Sequence, residues 1–531
     1  MKLNLGSGTN YKKGFINVDF DNEVKADKYF DLRKRFPIKT NSAEYILAQD
    51  VLEHFTKEDA EKFLDECWRV LHLGGKLKVR VPNINKIAEQ FSSDPPVMMK
   101  FIYGDTSKSG ELGAHKFGYT KEMLIEALAK AGFVIKRVYF ETTNIIGESK
   151  KVKKKKIDLN ILISGLDSGG IGGAEVFLVD LGDALKRDKN KVSYLSVMNK
   201  DFNHFLKGRN TYDSSRRMDF VGGYKGLFKF FMYFHEHINW TYKTLLTFKR
   251  NGGNVVILPG FTDKIVISPI AAQLGIKVIW IEFGPISELL KRFFYLPQII
   301  YRIVSKYTDL VIVPSENTKR NLIRESRISE SRVRKIFCGI QLVKVPKKTS
   351  GKKFVIGVVS RLQKEKGQDE LIKATKLLIN KIPNIELRII GDGDYKEELK
   401  EIVKKLNLKN DVKFKGFVKN KYKEISEFDV FVFPTRWKME GFGLVALEAM
   451  MVGIPLVASN SGPVPEVVGN AGLVVEPNAR ELSNAILKIY KNKNLANDLI
   501  KKAKNRVKNF DINNIASQYE KEIKEIFISK I

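Results

Sequence analysis

Short apolar runs alternate with longer stretches in which apolar residues recur every three or four positions. The pattern holds along all 531 residues. Lys2-Leu-Asn-Leu5 and Phe15-Ile-Asn-Val18 open it, each running into a turn. It restarts at Asp158-Leu-Asn-Ile-Leu-Ile-Ser164, with further strands predicted at 255–258, 278–280 and 310–313. A third start is Phe354-Val-Ile-Gly-Val-Val-Ser360, followed by strands predicted at 387–390, 412–414, 430–433 and 455–458. Strands alternating with amphipathic helices predict parallel α/β domains. The predicted segments are residues 1–147, a linker at 148–156, then 157–345 and 346–531. Six lysines in the seven residues 150–156 repel one another, which predicts a solvated linker. Residues 512–527 read as one amphipathic helix.

Composition narrows this picture. A hydrophobic share of 43% supports packed cores, and the net charge of +31 suits nucleic acid, an anionic membrane face or acidic substrates. A lysine-rich bias of the whole proteome gives the same figure. Two cysteines, Cys67 and Cys338, exclude a disulfide framework and a four-cysteine zinc site. The chain enters a strand at once, without a secretory pattern, and has no run of 18 apolar residues. A cytoplasmic protein is expected. Aromatic and basic residues interleave from Tyr224 to Arg250, including Lys225, Lys229, Phe230 and Phe231, and again in Lys291-Arg-Phe-Phe-Tyr-Leu296. Such stretches suit peripheral contact with an anionic membrane at its inner face, or ordinary domain helices with lysines outward.

In the first block, Leu3-Asn-Leu-Gly-Ser-Gly8 is a strand followed by a Gly-x-Gly turn, where backbone can approach a ligand closely. Asp19 ends the second strand. Asp31-Leu32, Asp50-Val-Leu-Glu-His54, Arg69-Val-Leu-His-Leu-Gly-Gly75, Val81-Pro82-Asn83, His115-Lys-Phe-Gly-Tyr-Thr120 and Ala131-Gly-Phe133 follow. This ordered set resembles the class I S-adenosylmethionine-dependent methyltransferases. The resemblance implies S-adenosylmethionine as methyl donor, with Gly6 and Gly8 near its amino acid part, Asp19 at the ribose and Asp31 near the adenine. His54 and His115 are candidate bases for a hydroxyl acceptor, or hydrogen-bonded loop histidines. Asn4 stands where many such enzymes place an acid. Only one strand is expected after Gly132, leaving the last hairpin incomplete.

Four elements mark the remainder. Gly172-Gly-Ala-Glu175 sits at a strand-to-helix turn, where N–H groups can face a phosphate. Ser360-Arg-Leu-Gln-Lys-Glu-Lys-Gly367 supplies two cations, Arg361 and Lys366, directly after a strand. Gly391-Asp-Gly393 follows the next strand. Pro434 to Pro455 carries Glu440 and Glu448 around Gly441-Phe-Gly443, which reads as strand, glycine loop and helix, with anion-seeking amides at the helix start. Ser461-Gly-Pro-Val-Pro-Glu-Val-Val468 comes after it. Taken alone, the paired glutamates also fit a solvated helix with two surface acids.

As an ordered set these motifs closely resemble the family 4 retaining glycosyltransferases of GT-B fold. The resemblance implies two Rossmann-like domains facing a cleft, with a last helix crossing back to the first of them. It places Arg361 and Lys366 on the donor diphosphate, Glu440 on hydroxyls of the transferred sugar and Glu448 on the nucleotide ribose. Phe442, Gly443 and Leu444 present amides near sugar and phosphates, and Gly172 and Gly173 face the phosphate. No metal is required. Many relatives carry a histidine after an acceptor-domain strand; here Glu282 follows Lys277-Val-Ile-Trp-Ile281, and His204, His235 and His237 lie elsewhere.

The expected fold class is α/β, with three Rossmann-like domains: one class I methyltransferase-like, then a two-domain GT-B glycosyltransferase. The expected function is bifunctional. A sugar passes from a nucleotide sugar to a glycan or lipid-linked acceptor in surface glycan synthesis, beside a methyl transfer. The alternative is a glycosyltransferase whose first domain only binds. Nucleic acid is not expected as a partner, because it leaves the ordered glycine, cation and glutamate motifs unexplained.

Overall fold

A computed structural model describes residues 1–104, 114–152, 157–165, 172–196, 200–212, 228, 232–287, 295–346, 348, 351 and 353–528. The chain forms two compact units, one built on Met1–Ile157 together with the chain from Ile523 onward, and one on Asp158–Glu522.

The first unit holds a seven-stranded sheet. Its strands are β1 (Lys2–Leu5), β2 (Ile16–Asp19), β3 (Lys28–Tyr29), β4 (Ala43–Gln49), β5 (Leu71–Pro82), β6 (Phe133–Glu141) and β7 (Asn144–Lys151). The order is β3-β2-β1-β4-β5-β7-β6, parallel through β5, with β7 antiparallel to both neighbours. Helix α1 (Lys57–Val70) begins where the Thr56 side chain accepts from the Asp59 amide, filling one orphan donor of the first turn. Ala60, Phe63, Leu64, Cys67 and Val70 recur at helical spacing and are buried together in the sheet's core. Helix α2 (Lys121–Lys130) buries Leu124 and Leu128 on the same spacing.

Two expectations are corrected here. The last hairpin is complete, because β7 returns from β6 and inserts between it and β5. The linker expected from residue 148 also begins too early, since Glu148, Ser149, Lys150 and Lys151 pair along β5 and β6. Gly147, Ser149 and lysines hide this strand from an apolar search. Yet Ile145, Ile146, Gly147, Ser149 and Lys151 are buried. Lys151 Nζ donates to Leu71 O at 2.6 Å and Asn41 Oδ1 at 2.7 Å, and lies 4.0 Å from the centre of the Trp68 ring. Carbonyl oxygens and an aromatic face replace the water that the charge gives up. Lys153 to Lys156 lie outside the described residues.

The second unit holds two parallel sheets. The first contains β8 (Asn160–Ser164), β9 (Lys191–Leu195), β10 (Thr211–Tyr212), β11 (Val255–Leu258), β12 (Lys277–Ile281), β13 (Leu310–Val313) and β14 (Val333–Lys335), ordered β10-β9-β8-β11-β12-β13-β14. The second contains β15 (Phe354–Val359), β16 (Ile385–Ile390), β17 (Val412–Gly416), β18 (Val430–Phe433), β19 (Leu456–Ser459) and β20 (Leu473–Val475), ordered β17-β16-β15-β18-β19-β20. Strands such as β11, β13, β18 and β19 are buried at every residue, as parallel sheets covered on both faces require. The helices used below are α3 (Gly173–Arg187), α4 (Phe261–Gln273), α5 (Gln368–Leu378), α6 (Leu444–Val452) and α7 (Ile512–Ile528).

The last helix does return to the first of these sheets. The Ile340 amide donates to Phe510 O, and Ile340 O accepts from the Ile512 amide. Arg187 Nη1 donates to Asn513, and Arg334 Nε reaches Glu522 at 3.0 Å. Tyr519 is buried, its ring 6.3 Å from that of Phe177 on α3. The basic stretch ending at Arg250 forms a helix, Phe234–Arg250, that buries His237, Thr241, Leu245 and Phe248 on one face. It is a domain helix in its described part. Lys225, Lys229, Phe230, Phe231 and Lys291 to Phe294 lie outside the described residues.

Replacing Lys151 tests the corrected boundary. Lys151→Ala leaves two acceptors unpaired and should destabilise the first unit by about 1–3 kcal/mol. Denaturant unfolding followed by Trp68 fluorescence measures it. A change within error would return residues 148–151 to the linker.

Candidate functional site

Parallel strands open a crevice beyond their carboxyl ends wherever the strand order reverses. In the second unit the reversals fall between β8 and β11 and between β15 and β18. The motifs sit there. Gly172 caps α3 after β8, Pro259 follows β11, and Arg361 and Glu440 follow β15 and β18.

Gly172, Pro259 and Arg361 line one cleft, and Glu440 adjoins it, its carbonyl oxygen 3.9 Å from a Cβ built on the lining residue Gly284. A cavity of about 370 Å³ is bounded by Gly172, Gly173, Glu175, Glu282, Gly284 and Arg361, among others. A Cβ added to Gly172 would lie 3.0 Å from Arg361 Nη2, and one on Gly173 would lie 3.3 Å from Leu444 at the start of α6. The Gly172 amide donates to Glu175 Oε2 at 2.8 Å. That amide was expected to face a phosphate; the Glu175 carboxylate already takes it, a one-way cap because Gly172 has no side chain to return the bond. Gly169, Gly170 and Ile171 lie outside the described residues.

Lys366 and Glu440 form an ion pair. Lys366 Nζ donates to Glu440 Oε2 at 2.7 Å, and the Thr435 hydroxyl reaches the same oxygen at 3.2 Å. Both charged side chains are largely buried, and the ammonium lies 4.7 Å from the Trp437 ring centre. Glu440 thus stays in the loop while Glu448 sits on α6. Gly443 caps α6 at φ +86°, a left-handed backbone that would drive a Cβ to 2.7 Å from the Phe433 ring. No side chain caps this end. The Phe442, Gly443 and Leu444 amides therefore stand at the start of α6, and a helix N-terminus favours an anion.

Glu448 is 7% exposed, and Lys421 Nζ donates to its Oε1 at 2.5 Å. Burial pushes its carboxyl upward, and Lys421 opposes the shift. Sequence reasoning missed Lys421, Thr435 and Trp437. The last two lie inside the motif that carries Glu440. Lys421 has no local signal, since it meets Glu448 only through packing of its short helix. Glu282 lines the cleft after β12, but its Oε1 accepts from buried Lys264 at 2.5 Å and from the Tyr301 hydroxyl at 2.6 Å. Burial lowers the Lys264 pKa, and Glu282 opposes that shift. Beyond β16, Asp392-Gly-Asp394 is an Asp-x-Asp triplet, so metal independence rests on the family resemblance alone. Asp392 accepts from the Gly393 amide at 2.9 Å and from Lys396 at 3.2 Å.

In the first unit the reversal lies between β1 and β4. Gly6 and Gly8 follow β1, Asp19 ends β2, Asp31 follows β3, and Glu53 and His54 follow β4, all at one edge of the sheet. Gly6 turns at φ +65°; a Cβ on Gly8 would meet nothing within 4 Å, which leaves room for a ligand at the turn. Asp19 Oδ2 accepts from the Gly8 amide at 2.6 Å. Asp31 is held by Arg33 through two hydrogen bonds of 2.8 and 2.9 Å, which keep its carboxyl below the usual range. Asn4 is buried and donates to Asn17 Oδ1 and Asn10 O. Burial pushes the Glu53 carboxyl up to about 8 and the His54 imidazole down.

The second unit has the GT-B fold, and its two halves match family models named for glycosyltransferases. Residues 171–344 match the family model for Glycosyltransferase Family 4, and residues 341–506 match that for Glycosyl transferases group 1. Residues 16–79 match a Methyltransferase domain model. An uncharacterised glycosyltransferase of Methanocaldococcus jannaschii is 30% identical over 234 residues, covering 38% of this chain and 57% of its own. A GDP-mannose-dependent phosphatidylinositol monomannoside mannosyltransferase of Corynebacterium glutamicum is 38% identical over 130 residues, 23% of this chain and 34% of that one. These first matches thus span about half or less of the curated relatives. The capsular polysaccharide biosynthesis glycosyltransferase CapM of Staphylococcus aureus is 24% identical, with 68% of this chain and 88% of that one covered. Anabaena HepE in complex with UDP superposes with a TM-score of 0.57 at 22% identity, covering 69% of this chain and 99% of that one, a likeness of fold.

Asp180 on α3 offers a pH test of the packing around the cleft. Burial and Asp183 push its carboxyl up to about 6, while Gln341 Nε2 donates to it at 2.8 Å. A raised carboxyl pKa favours the folded state most below the unfolded value, and that contribution is lost as pH rises through about 6. Asp180→Asn keeps an acceptor for Gln341. It should melt above wild type at about pH 8 and level with it at about pH 4. An equal difference at both pH values would contradict this.

Proposed function

We propose that the second unit transfers a sugar from a nucleotide diphosphate donor to a hydroxyl of a glycan or lipid-linked acceptor, with retained anomeric configuration. One observation carries the reading: Arg361, the Lys366–Glu440 pair and the amide end of α6 meet at the reversal points of two facing sheets. Two cations and a helix N-terminus suit a departing diphosphate. In this reading Arg361 and Lys366 hold the diphosphate, and Glu440 accepts from hydroxyls of the transferred ring. Glu448 accepts from the nucleotide ribose. Of the two glycines assigned to the phosphate, Gly173 keeps that part while the Gly172 amide is taken by Glu175, and the cations do the work of a metal. The glycosidic bond to the diphosphate breaks as the bond to the acceptor oxygen forms, and the proton of the acceptor hydroxyl passes to an oxygen of the departing diphosphate. The ion-paired Glu282 stands on the acceptor side of the cleft.

Relatives named for UDP and for GDP-mannose support a nucleotide sugar without choosing its base. CapM supports a pathway of surface glycan assembly. Ile299 and Ile303 are more than half exposed on the helix Leu296–Val304, and this supports a lipid-linked acceptor at the inner face of a membrane. Among the described residues, no helix is long and apolar enough to cross one.

For the first unit the reading is methyl transfer from S-adenosylmethionine, which supplies a sulfonium methyl when bound. The open turn at Gly8, with Asp19 beside it, fits the amino acid and ribose parts. The Arg33-bound Asp31 and the Asn4 substitution favour the second reading, a domain that binds without reaction.

Glu440→Ala and Arg361→Ala should each lower kcat/KM about a hundredfold or more in a nucleotide-sugar turnover assay, with melting temperature little changed in Arg361→Ala and lowered in Glu440→Ala, which leaves buried Lys366 unpaired. Near wild-type turnover in either would sink the assignment. For the first unit, S-adenosylmethionine is titrated into the full chain by calorimetry. Saturable binding supports methyl transfer, and no heat at about millimolar ligand supports an inactive domain that binds an acceptor or partner instead of S-adenosylmethionine.

A further inference from the structure

We propose that Glu53, His54 and His115 form a binding site for a divalent transition-metal ion in the first unit. The site is independent of sugar transfer. One ligand atom from each residue lies within 4.8 Å of the others. Metal bonds of about 2.0–2.2 Å in a tetrahedral shell put ligand atoms about 3.3–3.6 Å apart, so rotation of the side chains by roughly an ångström closes the set.

The hydrogen bonds of the histidines decide which nitrogen each can offer. His54 Nδ1 lies 3.1 Å from Ala114 O, and His115 Nδ1 lies 3.1 Å from Phe101 O. A carbonyl only accepts, so each Nδ1 carries the hydrogen and each Nε2 keeps a free lone pair. A ring nitrogen donating to a backbone carbonyl is the usual support behind a metal-bound imidazole. The two rings pack edge to face at 5.0 Å.

Glu53 supplies the independent observation. It is 2% exposed, and neither carboxylate oxygen has a hydrogen-bond partner among the described residues. Histidines held only as loop supports would explain their own bonds to Ala114 and Phe101, but not this carboxylate. A cation between the three answers all of it.

Two imidazoles and one carboxylate suit zinc, iron or manganese better than the all-oxygen shells of calcium or magnesium. Three protein ligands leave a coordination position open. Beside it lies a cavity of about 390 Å³ lined by Asn85, Tyr103, His115, Lys116 and Phe117, among others. A molecule there with a hydroxyl or carboxylate oxygen would complete the shell.

The test uses the full chain stripped by a chelator, dialysed, and titrated separately with Zn²⁺ and Mn²⁺. Elemental analysis should find about one ion per chain, with a rise in melting temperature. Glu53→Gln, His54→Gln and His115→Gln should each weaken uptake about tenfold or more. His72→Gln and His204→Gln should not. No saturable uptake of either ion, or uptake that survives His115→Gln, overturns the site. Should the variants fail to fold, Co²⁺ loading of the wild-type chain decides instead. Intense bands of a low-coordinate site support the proposal, and the weak spectrum of aquated Co²⁺ overturns it.

Discussion

A parallel sheet can bind a ligand beyond its strand ends only where neighbouring connections leave on opposite faces, and each of these sheets has one such place. In the first unit it separates β1 from β4, in the second β8 from β11 and β15 from β18. Almost every residue with chemistry to offer sits at one of these three reversals. Gly6, Gly8 and Glu53 share the first, Gly172 and Glu282 adjoin the second, and Arg361 and Glu440 share the third. Residues far apart in the chain become neighbours because the fold reverses there.

Charge inside the second unit follows from that placement. Lys366 meets Glu440, Lys421 meets Glu448, and Lys264 meets Glu282. Each acid is nearly buried, and each would be costly there without its cation. The Lys366 pairing also holds both groups ready, since a ligand that brings phosphate to Lys366 and hydroxyls to Glu440 can replace the partner each now has. Glu53 of the first unit stands apart, buried with no partner for either oxygen among the described residues.

Much of this is legible in the chain. Strands β1, β11, β13 and β18 match the predicted segments at both ends, because each is a short apolar run with a sharp boundary. The loop position of Glu440 and the helix position of Glu448 follow from Gly441 and Gly443 between them. Strand β7 is not legible, since its buried positions include Gly147, Ser149 and Lys151, which read as turn and linker. Nor is Lys421, whose contact with Glu448 depends on the packing of two helices. The cap on the Gly172 amide is hidden for a different reason: Glu175, three residues on, reads as part of the glycine motif as readily as a capping residue.

The central claim is that the cleft of the second unit is a nucleotide diphosphate site. Calorimetric titration of UDP and GDP into the full chain, wild type beside Arg361→Ala, addresses it most directly. Saturable binding of at least one of them is predicted at about one per chain, weakened about tenfold or more by Arg361→Ala. Binding of neither at about millimolar concentration, or equal binding by both proteins, would contradict it.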